Sequence, residues 1–194
     1  MTSSSINKPK ASYLEIILGP MFSGKTGFLV DIYRKAKFCN NKVIVINYIE
    51  DTRYSLTELS THDKVMIPCI QTKTLCELNV NFKDKIDQAE IILINEGQFF
   101  KDLFKWVSNL VETTNKRIYV CGLDGDFKQE KFGEILDLIP ISDKTRKLNA
   151  LCAVCKDGTP APFSFRCSQE KEQMVIGSDN YIPVCRKCKR KLSV

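Results

Sequence analysis

One segment of the chain combines residue types and spacing that are suited to binding phosphate. Residues 19–26 match the pattern G-x-x-x-x-G-K-[ST]. Glycines let the backbone wrap closely around an anion, and successive N–H groups and a helix N-terminus then point at phosphate oxygens. The lysine of this pattern reaches the β- and γ-phosphates, and its hydroxyl residue binds Mg²⁺. The residues predicted to hold a nucleotide are Gly19, Pro20, Met21, Phe22, Ser23, Gly24, Lys25 and Thr26, with Thr26 as the magnesium ligand.

Two polar residues at the end of a second apolar run could complete such a site. Residues 91–95 read Ile-Ile-Leu-Ile-Asn, which predicts a buried strand ending at Asn95. Asn95 takes the magnesium side of the site, although its neutral amide oxygen is a weaker ligand for a hard cation than a carboxylate. Glu96 follows and is the predicted catalytic general base for an attacking hydroxyl group. The alternative for Glu96 is a surface residue that starts the next helix.

Four of the nine cysteines form two Cys-x-x-Cys pairs in the last third of the chain. The pairs are separated by 29 residues and offer four thiolates, the ligand set of a structural, tetrahedral Zn²⁺. No secretory signal precedes them, so a disulfide framework is not expected. A reducing, cytoplasmic location is expected instead. The predicted zinc ligands are Cys152, Cys155, Cys185 and Cys188.

The elements that must position these residues follow an alternating pattern. Strands are predicted at Tyr13–Leu18, Val43–Tyr48, 64–70, 91–95 and 117–123, and helices at Lys25–Phe38, 83–89 and 98–113. Strands separated by helices form a parallel sheet with helices on its faces. The predicted fold is therefore an α/β P-loop sheet flanked by helices, in a nucleotide-binding domain over residues 13–149. Residues 1–12 are predicted to be a flexible tail, and residues 150–194, where the periodicity fades, a small zinc-binding lobe.

Composition restricts the possible functions further. The chain has 194 residues, of which 43% are hydrophobic and 27% charged, and this balance excludes a disordered protein. The net charge of +6 fits binding of phosphorylated small molecules as well as nucleic acid. No apolar run approaches the ~18 residues that a membrane span requires. No membrane partner is therefore expected.

The order and spacing of these motifs resemble type II thymidine kinases, a family of cytosolic cellular, bacterial and large-DNA-virus enzymes. The resemblance extends over about residues 13–190. The short end after Cys188 fits a viral or bacterial member. The matching segments are 19–26, Asp-Thr-Arg-Tyr at 51–54, Ser-Thr-His-Asp at 60–63, Glu-Gly-Gln-Phe-Phe at 96–100, 123–127, 132–133, 175–177, Tyr181 and both cysteine pairs.

The resemblance implies transfer of the ATP γ-phosphate to the 5′-hydroxyl of thymidine, with Mg²⁺ as a cofactor and a structural Zn²⁺. It implies that Asp51, Arg53 and Gln98 lie on the nucleotide side with Asn95, and that Asn95 replaces an aspartate of the family. The segment between the cysteine pairs corresponds to a lasso loop that closes over the nucleoside. The residues implied to line the thymidine pocket are Phe99, Leu123, Phe127, Phe132, Ser164, Val175, Ile176, Gly177 and Tyr181. A homotetramer and feedback inhibition by thymidine triphosphate are also implied.

Two other functions remain open at this stage. The same fold could accept deoxyuridine or a broader set of nucleosides, since one methyl group changes binding by only ~1–3 kcal/mol. The alternative from another functional class is a nucleic-acid-binding ATPase whose zinc lobe binds DNA. The short chain and the aromatic segments argue against it, so nucleic acid is an unlikely partner.

Overall fold

The computed structural model describes residues 11–49, 58–60, 65–170, 172–173 and 180–193. Seventeen helices and strands lie in these ranges. In chain order they are β1 (Tyr13–Leu18), α1 (Lys25–Phe38), β2 (Val43–Tyr48), β3 (Glu58–Ser60), β4 (Met66–Pro68), β5 (Ile70–Thr72), α2 (Leu78–Asn81), α3 (Lys83–Gln88), β6 (Ile91–Ile94), α4 (Leu103–Thr113), β7 (Arg117–Gly122), β8 (Lys144–Lys147), β9 (Ala150–Leu151), β10 (Pro160–Ala161), β11 (Phe163–Arg166), β12 (Tyr181–Val184) and α5 (Arg186–Leu192).

Six of the strands form one parallel sheet. Their order is β5-β2-β6-β7-β1-β8. The inner strands consist almost entirely of Val, Ile, Leu and other apolar residues because both of their faces are covered. The carboxyl ends of parallel strands meet at one edge, so the loops that follow β1, β6 and β7 lie beside one another. The predicted P-loop sheet flanked by helices is confirmed.

Side chains that alternate along each strand enter two different cores. One face of the sheet packs on α1, whose Leu29 and Val30 are buried together with Ile17 of β1. The other face packs on α4 and on a 3₁₀ segment, Ile135–Ile141, and this core includes Leu14 and Trp106. Helices therefore cover both faces.

The C-terminal part of the chain forms its own small core. Two antiparallel strand pairs, β9–β10 and β11–β12, precede the seven-residue helix α5. Their buried residues include Ala161, Val184 and three of the paired cysteines. This lobe carries the cysteine cluster described below.

Some predicted boundaries differ from the structure. The predicted strand at 64–70 is two short strands, β4 and β5, and only β5 joins the parallel sheet. The predicted helix at 98–113 begins only at Leu103, because Gly97–Phe99 forms a separate 3₁₀ turn. Strand β8 was not predicted, since its sequence Lys-Thr-Arg-Lys has no apolar pattern. Ten residues of the predicted N-terminal tail, 1–10, lie outside the described residues.

No helix in the described part of the chain is both long enough and apolar enough to cross a membrane.

Candidate active site

The phosphate-binding motif forms the loop between β1 and α1. Gly24 has φ 83°, a left-handed conformation that favours glycine, and α1 begins at the next residue. The first turn of this 14-residue helix contains no acidic side chain, so its N-terminal dipole is available to an anion. The Lys25 ammonium is buried and donates to the Pro20 carbonyl at 2.7 Å, and the Ser23 hydroxyl donates to the same oxygen at 2.8 Å.

The C-terminal lobe contacts this loop through Ser164. The buried Ser164 Oγ accepts a hydrogen bond from the Met21 backbone N–H at 3.0 Å. Met21 and Ser164 come from opposite ends of the sequence, so the bond joins the lobe to the phosphate loop. The sequence assigned Ser164 to the thymidine pocket, and the structure places it against the phosphate loop.

Glu96 lies directly after β6 and is held by Gln98. Its backbone is left-handed, with φ 53°, and its side chain is half-buried. The Gln98 Nε2 donates to Glu96 Oε2 at 2.7 Å, while Gln98 Oε1 accepts from the Leu123 N–H at 2.9 Å. Gln98 is itself buried and contacts Gly122, where an added Cβ would lie 2.3 Å from Gln98 Oε1. The end of β7 therefore holds the Gln98 side chain in place, and Gln98 in turn orients the Glu96 carboxylate.

Asn95 takes part in a buried amide network across three strands. Its Nδ2 donates to Asn47 Oδ1 at 2.8 Å, and its Oδ1 accepts from the Cys121 thiol at 3.1 Å. Asn47 continues the network to Gln71 at 3.4 Å. Both the nitrogen and the oxygen of the Asn95 amide therefore have hydrogen-bond partners within the protein. Asn95 is the residue that the sequence predicted on the magnesium side of the site.

The charges of Lys25 and Glu96 both act on Cys121. The pKa of the Cys121 thiol is raised to about 12, mainly by burial and in addition by the Glu96 carboxylate, while the Lys25 ammonium opposes the shift. Both charged groups therefore lie within electrostatic range of the same buried thiol.

Two of the predicted pocket residues belong to an aromatic cluster. Phe99 and Phe132 pack edge to face with ring centroids 5.4 Å apart, and Tyr48 lies 5.2 Å from Phe99. Phe132 is buried, whereas Phe99 is half-buried. Leu123 is half-buried beside Gln98. Phe99 and Leu123 follow β6 and β7 in the chain, as Glu96 follows β6, so these apolar side chains lie at the carboxyl edge of the sheet.

The other two aromatic residues of the predicted pocket, Phe127 and Tyr181, contact Arg166 instead. The Arg166 guanidinium lies 3.8 Å from the centre of the Phe127 ring and 5.1 Å from that of Tyr181. Arg166 had no assigned role in the sequence. Its only sequence signal was a match to a basic position of the family that the sequence resembles, which assigns it no role.

Several predicted site residues lie outside the described residues. These are Asp51, Arg53, Val175, Ile176 and Gly177.

The four paired cysteines converge in space. Their Sγ atoms all lie within 4.8 Å of one another, with Cys155 Sγ 3.4 Å from Cys188 Sγ and 3.8 Å from Cys185 Sγ. Tetrahedral Zn–S bonds of ~2.3 Å place sulfur atoms ~3.8 Å apart. Burial opposes ionisation of Cys152, but backbone N–H groups, led by that of Cys155, outweigh it and lower its pKa to about 6. The set fits a divalent cation that binds thiolates.

Comparison with known proteins gives a consistent result. The family described as Thymidine kinase matches residues 12–189. The thymidine kinase of sheeppox virus is 40% identical over 178 residues, which cover 91% of this chain and 96% of that protein. A thymidine kinase of Oryza sativa is 39% identical over 180 residues (89% of this chain, 64% of that protein), and the cytosolic thymidine kinase of Gallus gallus is 36% identical over 176 residues (90% and 75%). The chain therefore belongs to the thymidine kinase family.

Proposed function

We propose that this chain transfers the γ-phosphate of ATP to the 5′-hydroxyl of thymidine and that it requires Mg²⁺. The observation that carries this proposal is the position of a phosphate loop, a glutamate and an aromatic wall at one edge of a single sheet. Phosphoryl transfer depends on positioning and charge neutralisation more than on covalent chemistry, and this arrangement supplies both.

The phosphate loop would hold the triphosphate. Backbone N–H groups at the start of α1 and the Lys25 ammonium face the phosphate side, where both stabilise negative charge. The Thr26 hydroxyl, in the first turn of α1, would bind Mg²⁺. Mg²⁺ neutralises charge that develops on the phosphate oxygens. The Asp124 carboxylate forms an ion pair with Lys147 at 2.6 Å. This ion pair makes Asp124 less suited to holding a water molecule that is bound to Mg²⁺.

Glu96 would accept the proton of the attacking hydroxyl group. Gln98 donates to one carboxylate oxygen and so restricts the orientation of the Glu96 carboxylate that would receive the proton. Phe99, Leu123 and Phe132 would contact the pyrimidine ring on the adjoining wall. Ser164, which is bonded to the phosphate loop, would line the same pocket.

The cysteine cluster would bind a structural Zn²⁺. Four thiolates complete a tetrahedral site and leave no position for a substrate, so Cys152, Cys155, Cys185 and Cys188 would stabilise the lobe rather than catalyse. The bound ion would fix β12 and α5, which carry the second pair.

A nucleoside panel tests the reaction and the substrate. The purified chain is incubated with ATP and Mg²⁺ and with thymidine, deoxyuridine, deoxycytidine or deoxyadenosine, and each 5′-monophosphate is quantified. We expect thymidine monophosphate as the main product and a fall of about 10²-fold or more in the Glu96→Gln variant, since a general base contributes about that much. Glu112→Gln, at an exposed position of α4, is the matched control.

A panel without any product, while ATP still binds, would overturn the proposal. DNA binding that weakens steeply with salt would then support the nucleic-acid-binding ATPase, for which the basic helix α5 is the candidate surface. The homotetramer and feedback inhibition by thymidine triphosphate remain predictions. Sedimentation velocity and inhibition of thymidine turnover by the triphosphate would test them.

A further inference from the structure

Arg166, at the end of β11, is a buried cation whose hydrogen-bond donors are all used. Its side chain is only 5% exposed. The Nε donates to the Tyr181 hydroxyl at 3.0 Å, and Nη2 donates to the same hydroxyl and to the Gln173 carbonyl at 3.1 Å. The Nη1 donates to the carbonyls of Glu170 at 2.9 Å and Glu172 at 2.6 Å. A guanidinium has five N–H groups, and these five bonds account for all of them.

Carbonyl dipoles and aromatic rings, rather than a partner in an ion pair, surround the Arg166 charge. The ion pairs among the described residues do not include Arg166. Three main-chain carbonyls, the face of Phe127 at 3.8 Å and the ring of Tyr181 surround the guanidinium instead. A buried charge is costly unless it is paired or hydrogen-bonded, so this arrangement holds only if the carbonyls stay in place. Arg166 and the carbonyl groups of residues 170, 172 and 173 therefore fix one another.

A second contact ties the same segment to the loop that carries Phe127. The Gln173 Nε2 donates to Asp126 Oδ2 at 2.9 Å and to the Lys131 carbonyl at 3.2 Å. The other oxygen of the buried Asp126 carboxylate accepts from the N–H groups of Lys128 and Glu130. The segment after β11 is thus fastened to the Phe127 loop at two points, Arg166 and Gln173.

We propose that Arg166 is a positioning residue for the nucleoside pocket. It holds Phe127, Tyr181 and the base of the segment between the cysteine pairs in one arrangement. It does not touch the substrate, because none of its N–H groups is left to donate. This inference rests on the proposed function, which assigns Phe127 and Tyr181 to the pocket. Loss of Arg166 should therefore weaken thymidine binding and leave ATP binding unchanged.

Lysine cannot replace arginine at this position. A planar guanidinium stacks on Phe127 while its edge donates to carbonyls in several directions, whereas an ammonium is a compact, strongly hydrated charge with three donors. Arg166→Lys keeps the charge and loses the planar fork, so it isolates the geometric role. Arg166→Met removes the charge as well.

The test measures KM for thymidine and KM for ATP separately, together with thymidine affinity by calorimetry. We expect KM for thymidine to rise about tenfold or more in Arg166→Met, because Phe127 and Tyr181 would no longer be held in the arrangement that binds the nucleoside. Arg166→Lys should show a smaller rise, and KM for ATP should stay within about twofold. Arg186→Met is the matched control, because the exposed Arg186 also stacks on a ring, that of Phe163 at 4.7 Å, in the same lobe.

The outcomes separate this inference from the proposed function. If the unmodified chain does not phosphorylate thymidine, the proposed function is wrong, whatever Arg166 does. If the unmodified chain is active and the Arg166 variants change both KM values equally or neither, Arg166 is a structural residue and the inference is overturned. If Arg166→Met does not fold, Arg166→Lys decides by the same two KM values.

Discussion

Asn95 and Asn47 form a buried pair of amides, one donating and the other accepting, beside the predicted general base. Asn95→Asp replaces the donor with a carboxylate that faces the Asn47 oxygen. We expect a loss of about 1–3 kcal/mol in the free energy of unfolding. The loss should grow as pH rises, because burial raises the pKa of the introduced carboxyl group and only its protonated form can donate. Thermal denaturation from pH 5 to pH 8 measures both effects.

The same substitution tests whether position 95 reaches the metal. A carboxylate binds Mg²⁺ more strongly than an amide, so Asn95→Asp should lower the Mg²⁺ concentration that gives half-maximal activity. Asn47→Asp is the matched control, since it introduces the same charge into the same pair on the neighbouring strand β2. An unchanged Mg²⁺ requirement in Asn95→Asp, or an equal change in both variants, would show that Asn95 has no role in metal binding.

At the scale of elements, the end of β7 supports the orientation of Glu96. An added Cβ at Gly122 would lie 2.3 Å from Gln98 Oε1 and 2.8 Å from Ile135 Cδ1. Gly122→Ala should therefore displace Gln98, lower kcat, and cost about 1–3 kcal/mol in the free energy of unfolding through overpacking. Urea denaturation and steady-state kinetics measure the two quantities.

Gly27→Ala is the control for this variant. Gly27 lies in α1, and a Cβ there would meet no atom within 4 Å. Alanine in a helix is about 0.5–1 kcal/mol more favourable than glycine, so stability should increase and kcat should not change. A normal kcat in Gly122→Ala would mean that Gln98 does not need its observed position to orient Glu96.

The strands that were predicted correctly from the sequence share one property: both of their faces are buried within the sheet structure. Strands β1, β2, β6 and β7 consist mainly of apolar residues for this reason, and their positions were predicted within a residue or two. The edge strand β8 is polar and is held by its pairing with β1, so no local pattern marks it. The start of α4 was misplaced because Gly97–Phe99 forms a separate 3₁₀ turn, in which Gln98 makes a local bond with Glu96 and a tertiary bond with Leu123.

The residues of the candidate site also divide into those that a local sequence pattern predicts and those that depend on distant partners. Sequence spacing was enough for the phosphate loop, because its function depends on a continuous segment next to one strand and one helix. It was also enough for the four cysteines, which the structure brings together. Asn47 and Arg166 were not predicted as site residues, because their roles depend on partners on other strands and loops.

At the scale of the whole molecule, the nine cysteines should divide into classes of different reactivity. Cys39, Cys76 and Cys167 are exposed, whereas Cys121 is buried with its pKa raised to about 12. Alkylation by iodoacetamide requires the thiolate. We therefore expect rapid labelling of Cys39 and Cys167, and slower labelling of Cys76 because its hydrogen bond with the Asp102 carboxylate raises its pKa. Cys121 should stay unlabelled until the chain unfolds, as peptide mass spectrometry would show.

The four clustered cysteines should react only after the metal is removed. A bound Zn²⁺ holds all four sulfur atoms, so a strong chelator should expose them to iodoacetamide and lower the melting temperature, since metal binding contributes to folding. Cys188→Ser should abolish zinc binding measured by elemental analysis, whereas the exposed Cys39→Ser should retain one zinc per chain. Rapid labelling of the four cysteines without chelator, in a preparation free of zinc, would contradict the metal site. The lobe would then depend on its own small apolar core, and Ser164 would still join it to the phosphate loop.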